Sequence, residues 1–415
     1  MMLGDVAEQE SSFISLEIRA SDLVAANGRS VLYGKSQMKR FFVYVILTIA
    51  ILGCQKNNTV SCSKNLKDVT EIIGATHVKG GYYFTNKDFL NEGADQLLNM
   101  KMKVVKVWFY NGREASEVVY PYNSQWKKVD SLVEGAKSPY WKAFFDKPFK
   151  TFIMNVMALN MPDYYWLHGI TEQQAAEEKR QFYELAKYFL MQYKDTGKTF
   201  IFANHEGDWH IKDRAEPNAI TPPERFSCMI KWLQARQDGV EQAREEIGMH
   251  GVRVFHATEV VNVVKTMKDK QDNIVNKVLP FVTLDLVSYS AYDSTVYGRV
   301  HDRQDLKAAL DFIAAHARKS PYFGKKNVFI GEYGIPENEF SQKDIQTLVP
   351  NVVETGLEWG CPYIVYWELY CNEPKPNVKV PDWNNNDFRG FWLIRPDGSK
   401  EWAYEYFVEL LKKSK

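Results

Sequence analysis

From about Thr70 onward, short runs of β-branched and aromatic residues alternate with longer amphipathic stretches. Eight such runs stand out: Ile72–Val78, Val104–Tyr110, Thr151–Met157, Thr199–Asn204, Val252–Thr258, Leu284–Ser290, Asn327–Glu332 and Pro362–Glu368. Each is almost free of charge, as strands buried on both faces are. Between them, apolar positions recur at helical spacing over Lys87–Met100, Thr171–Tyr193, Pro223–Ile247, Asp305–Ala317, Lys343–Trp359 and Glu401–Lys413. The boundary signals agree. Pro222, Pro223 and Glu224 open one helix, Ser341 precedes the acidic start of another, and Gly197, Gly248 and Gly360 follow helices. Strands alternating with helices predict an α/β fold with a parallel sheet, and eight repeats predict closure into a (β/α)8 TIM barrel. The first strand is not followed by a G-x-G-x-x-G turn, which argues against a dinucleotide-binding sheet. No low-complexity break divides residues 70–415, so they read as one domain. The stretches Asn111–Ser138 and Cys371–Lys400, rich in Pro, Asn, Trp and Tyr, read as long loops after strands, on the face where barrel sites are built.

Ahead of this pattern lies a different one. Met38–Cys54 reads MKRFFVYVILTIAILGC: a basic start, an apolar stretch and a cysteine. The apolar part is shorter than the roughly 20 residues that span a bilayer, and it fits the core of an export signal. Its end, Ile51-Leu52-Gly53-Cys54, resembles a bacterial lipobox, which implies acylation of Cys54 and a lipid-anchored, exported protein of the cell envelope. Gln55 after the cysteine favours the outer membrane. Residues 1–37 precede a complete signal with its own Met and read as a non-native or disordered extension. Residues 55–69 read as a linker.

Composition narrows the partners. The chain has 415 residues, enough for a barrel of roughly 250 residues with insertions. Lys plus Arg equals Asp plus Glu at 52 each, so no charge excess points to nucleic acid. The 11 Trp and 23 Tyr are compatible with a large core or with sugar stacking, since both rings offer a flat apolar face and a polar tip. Beyond Cys54, the cysteines at 62, 228, 361 and 371 have no zinc-type CxxC spacing and read as mostly free or buried thiols.

The chemistry sits at two strand ends. The fourth run leads into Asn204-His205-Glu206-Gly207-Asp208-Trp209, and the seventh ends Gly331-Glu332-Tyr333-Gly334. A carboxylate where a buried strand emerges is costly to desolvate without a partner. Two of them, on strands four and seven of one barrel, form a natural catalytic pair. The chain resembles the retaining glycoside hydrolases of the (β/α)8 clan that includes the family 5 cellulases and mannanases. That clan carries its acid/base Glu after strand four, usually behind an Asn, and its nucleophile at the end of strand seven in a G-E-x-G context. Gly331-Glu332-Tyr333-Gly334 matches the second pattern, while His205 intervenes in the first. The resemblance implies Glu206 as acid/base and Glu332 as nucleophile, with Asp208 as the alternative to Glu206.

It further implies Trp367, followed by Glu368, as the stacking residue under the sugar. It implies Tyr289 or Tyr292 as hydrogen-bond donor to the nucleophile, and Arg113 in place of the clan's strand-two arginine. Trp108, Tyr110, Asn160, Asn204, His205 and Trp209 are expected to line the sugar site; His256 and Glu259 near strand five are weaker candidates. No cofactor is expected. His205, Glu206, Asp208 and His210 suggest a metal, but the histidines are five apart, whereas the zincin helix needs four. No G-x-S-x-G elbow suggests a serine hydrolase. The expected function is hydrolysis of a poly- or oligosaccharide by a lipid-anchored monomer. The alternatives are a surface glycan-binding protein that has lost the chemistry, and a transglycosylase.

Overall fold

A computed structural model describes residues 68–415 except 163, 213–219, 297–298, 377, 379–383 and 414–415. Cys54, Cys62 and the export signal lie outside the described residues, as does the side chain of Arg113. Eight strands form a closed barrel: β1 (Ile73–Thr76), β2 (Val104–Phe109), β3 (Thr151–Val156), β4 (Thr199–Ala203), β5 (Arg253–Val260), β6 (Leu286–Ser290), β7 (Val328–Tyr333) and β8 (Ile364–Tyr366). Every neighbouring pair is parallel and follows chain order, and β8 closes on β1 with Ile73 opposite Ile364. This is the TIM barrel that the eight apolar runs predict.

Strand alternation divides the core into two. Val104, Ile153, Ile201, Ala203, Phe255, Ala257, Leu286, Phe329, Tyr363 and Val365 pack inside the barrel. The intervening positions, such as Phe152, Phe200 and Phe202, pack outward under the helices. Both faces are apolar, so the runs look uniformly hydrophobic in sequence. Helix ends follow local chemistry. Thr171 and Gln174 form a capping box on Glu172–Gln192, as do Ser341 and Asp344 on Gln342–Trp359. Gly360 leaves the second helix at φ 91°, a backbone open to glycine at no steric cost.

The differences from expectation are short elements. The stretch expected as the loop Asn111–Ser138 holds a helix at Leu132–Lys137, capped by Ser131, and Pro139–Asp146 adds another directly behind it. In the latter, Pro139 opens the first turn and Trp141, Phe144 and Phe145 are buried. Eight residues are too few for a 3.6-residue period to stand out. Two short helices, Val263–Asp269 and Ile274–Lys277, likewise fill the β5–β6 connection. Strand β5 extends two residues past the expected end, which brings Glu259 onto the strand. Cys228, Cys361 and Cys371 are free thiols, the last two buried.

Candidate active site

The inward positions of β4 are Ile201 and Ala203. Continuing that alternation puts His205 inward and Asn204 outward. Asn204 is buried, and its amide oxygen accepts a 2.8 Å hydrogen bond from Thr258 Oγ1. It is therefore held on the neighbouring strand, against its expected place beside a sugar. Glu206 should then also turn away. It does not, because its backbone is left-handed, at φ 32° and ψ 61°. A non-glycine residue there stores roughly 1–3 kcal/mol and persists only where its surroundings hold it. The turn sends the Glu206 carboxylate back into the barrel mouth, where Ser290 Oγ donates to it at 3.2 Å.

Glu332 enters by a different irregularity. On β7, Phe329 points inward, so Glu332 would face outward in a regular strand. The β6–β7 register shifts here, Tyr289 pairing with Ile330 but Ser290 with Glu332. The shift turns the carboxylate inward. Lys106, at the inward position of β2 beyond Val104, meets it: Nζ donates to Glu332 Oε2 at 3.1 Å, to the Gly331 carbonyl at 3.1 Å and to Glu259 Oε2 at 2.8 Å. All three groups are buried, with side-chain exposures of 1 % for Lys106 and Glu259 and 4 % for Glu332. Burial pushes the Glu332 carboxyl up; Lys106 opposes this, Glu259 adds to it, and the result is about 7. For Glu259, burial also pushes upward, but Lys106, His205 and the Ser288 hydrogen bond together hold the carboxyl below its ordinary range. Lys106 itself is driven up by the two carboxylates against its burial, and it stays charged.

His205 lies between the two glutamates. Its Nε2 is 3.8 Å from Glu206 Oε2 and 3.8 Å from Glu332 Oε2. One oxygen of each carboxylate and one imidazole nitrogen all fall within 4.8 Å of one another. Burial holds the imidazole down to about 4, so it is neutral near pH 7. Its ring meets Trp108 edge-on at 5.1 Å and faces Trp367 at 6.5 Å. His205, Glu206 and Glu332 are the only described set close enough to hold a metal ion. Zinc ligands at about 2.0–2.2 Å from the ion would have to draw nearer than these separations, and Glu332 already pairs with the Lys106 ammonium at 3.1 Å.

The other expected residues divide. Trp108 and Trp367 are buried beside His205, and Tyr110 packs on Trp108 at 5.8 Å. Trp367 also hydrogen-bonds the Glu373 carboxylate. Glu368 is fully buried; Oε1 accepts from the Asn372 amide at 2.9 Å, and burial with the negative charge of Glu373 pushes its carboxyl well above the ordinary range. Tyr292 begins a short helix and meets Phe391 at 5.9 Å. Tyr289 departs from its expected place: strand alternation puts it outward between Ser288 and Ser290, and its hydroxyl donates to Asp293 instead of to Glu332. Asp208 departs from its own as well. It is buried and accepts from the Val261 amide at 2.8 Å and the Ile274 amide at 2.9 Å, clamping the β5–β6 connection. Asn160 is exposed in the turn after β3 at φ 59°. Trp209 lies half-buried under the Lys212 ammonium, His210 packs on Tyr164, and His256 is buried facing Phe182 on the helix side.

Sequence reading passed over Lys106 and Asn155. Lys106 is the one charge inside the second run, and a buried charge requires a buried partner. Asn155, inward on β3, has both amide atoms buried without a hydrogen-bond partner among the described residues. Thr76 Oγ1, Trp108 Nε1 and Glu368 Oε2 share that condition on β1, β2 and just beyond β8. Buried polar atoms of this kind usually find a partner in water or ligand.

No family model matches the chain, and no curated protein matches it in sequence. Solved structures do match in fold. A GH5_18 enzyme from Streptomyces cattleya in complex with Manβ1-4GlcNAc superposes with a TM-score of 0.55 at 11 % identity, over 82 % of this chain and 80 % of that one. The same enzyme in complex with GlcNAc gives 0.53 at 12 % identity, with the same coverage. The exo-β-1,4-mannosidase Op5Man5 from Opitutaceae bacterium strain TAV5 gives 0.50 at 10 % identity, over 83 % of this chain and 59 % of that one. The chain thus shares the barrel fold of family 5 glycoside hydrolases.

Proposed function

We propose that the protein is a glycoside hydrolase that cleaves a poly- or oligosaccharide by a retaining mechanism, with Glu206 as acid/base and Glu332 as nucleophile. The observation that carries this reading is the meeting of the two carboxylates across the barrel mouth, one oxygen of each within 4.8 Å of the other. Retaining pairs stand about 5–5.5 Å apart and inverting pairs about 6.5–9.5 Å. In the first step Glu206 protonates the glycosidic oxygen while ionised Glu332 attacks the anomeric carbon. The C–O bond to the leaving group breaks and a glycosyl ester on Glu332 forms. In the second, Glu206 takes a proton from water as the water oxygen attacks the same carbon and releases Glu332. Lys106 supports the ionised state of Glu332. Trp367 and Trp108 offer stacking faces, and Trp108 Nε1, Asn155 and Thr76 offer hydrogen bonds for hydroxyls. No cofactor enters either step. We further propose that Cys54 carries the lipid and that the barrel acts in the cell envelope as a monomer.

A second reading, a glycan-binding protein without turnover, draws support from His205, which stands 3.8 Å from both carboxylates where a glycosidic oxygen would pass. The test separates binding from hydrolysis in Glu206→Gln and Glu332→Gln, on a panel that begins with Manβ1-4GlcNAc and other β-linked oligosaccharides. The catalytic reading expects each variant to lose turnover, Glu206→Gln by about 10²–10⁴-fold, and to keep binding. Hydrolysis unchanged in both variants, or tight binding without turnover in the unaltered protein, contradicts it.

A further inference from the structure

We propose that Glu259 is the positioning residue that ties the two halves of the carboxylate pair together, holding Glu206 through its backbone and Glu332 through Lys106. Its catalytic consequence rests on the glycosidase reading above; its structural content does not. Glu259 sits inward on β5 and is buried. Its Oε1 accepts from the Glu206 amide at 3.1 Å. Its Oε2 accepts from Lys106 Nζ at 2.8 Å and from Ser288 Oγ at 2.6 Å. One carboxylate therefore holds the left-handed residue that aims Glu206, and shares the cation that partners Glu332.

The surroundings are built to this arrangement. Lys106 has three ammonium hydrogens and uses them on Glu259, Glu332 and the Gly331 carbonyl. Position 331 has no room for a side chain unless Ser288 moves, because a Cβ there would stand 1.7 Å from Ser288 Oγ and 3.0 Å from Glu259 Oε2. The Gly207 Cβ position lies 3.0 Å from the Glu259 carbonyl, so the chain behind Glu206 also packs on this residue. Two glutamates compete for one lysine in a dry setting. Glu259 takes the shorter contact and the extra donors, and leaves Glu332 the partner that more readily binds a proton. The charged and titratable groups facing Glu332 are Lys106 from β2, His205 and Glu206 from the end of β4, Glu259 from β5, and Glu368 and Glu373 after β8.

The test is Glu259→Gln, read by the titration of Glu332. Protein carrying carbon-13 in the glutamate carboxyls is titrated by NMR, and Glu332→Gln identifies the Glu332 signal. With the neighbouring negative charge gone and Lys106 undivided, the Glu332 midpoint falls by about one pH unit or more. Where the unaltered protein hydrolyses a glycan, the acidic limb of kcat/KM falls with it, and kcat drops while KM holds. A folded Glu259→Gln with an unmoved midpoint overturns the proposal. Should the single variant not fold, Glu259→Gln with Lys106→Met removes both charges together, and the midpoint must then rise above that of the unaltered protein. No rise overturns the proposal equally. A midpoint that shifts in a protein with no hydrolase activity refutes the functional reading and leaves this inference standing.

Discussion

Glu332 combines burial with a shared cation, and its carboxyl is pushed up to about 7. In the proposed role of nucleophile it must be ionised. Lowering the pH through that value adds a proton and removes the nucleophile, so kcat/KM should fall about tenfold per pH unit on the acid side, from a limb set by the free enzyme. A pH–rate profile on any cleaved glycan checks this, and a limb near the ordinary carboxylate range would contradict it. Glu332 was legible because the motif Gly331-Glu332-Tyr333-Gly334 and the strand end coincide. The aim of Glu206 was not. Counting inward positions along β4 through Ile201 and Ala203 points to His205, and only the left-handed backbone at Glu206 returns its carboxylate to the site. Such a backbone, in a residue without glycine's freedom, has no sequence signal of its own. Lys106, a lone charge within an apolar run, was passed over, and Glu259, one residue past the expected end of the fifth strand, stood only as a weaker candidate.

At the level of elements, the site depends on departures from regular strands. The β6–β7 register shift lets Glu332 and Ser290 stand opposite each other, and Gly331 makes room for Ser288 at that point. Gly331→Ala should displace Ser288 and, through it, Glu259. Overpacking of this kind costs about 1–3 kcal/mol, measurable as a lower unfolding midpoint in urea, and turnover should fall further than stability alone explains. An unaltered midpoint and rate would show that the close packing is not needed. The strands and long helices were readable because their apolar periods run for many residues and their caps are explicit, as at Thr171 and Ser341. The helix Pro139–Asp146 was not, since it is barely two turns long and its buried Trp141, Phe144 and Phe145 cover little more than one of them. Tyr289 was misassigned to the site for a related reason: on a strand buried on both faces, hydropathy does not say which side is the barrel interior.

For the whole molecule, the barrel positions side chains from strands distant in sequence: Lys106 and Glu332 meet across 226 residues, and Lys106 and Glu259 across 153. No local pattern announces such contacts; closure of the sheet creates them. The proposed lipid anchor at Cys54 is also a property of the whole molecule. Cys54→Ala should abolish incorporation of labelled palmitate and release the protein from the membrane fraction; labelling that persists would remove the lipobox reading. The most direct measurement concerns the pair itself. An activated fluorosugar matched to the cleaved glycan, which forms the glycosyl ester but leaves it slowly, is incubated with the protein, and the labelled peptide is sequenced by mass spectrometry. One sugar per chain is expected, attached to Glu332 and absent from Glu332→Gln. A label on any other residue, or continued hydrolysis with no residue labelled, would contradict it.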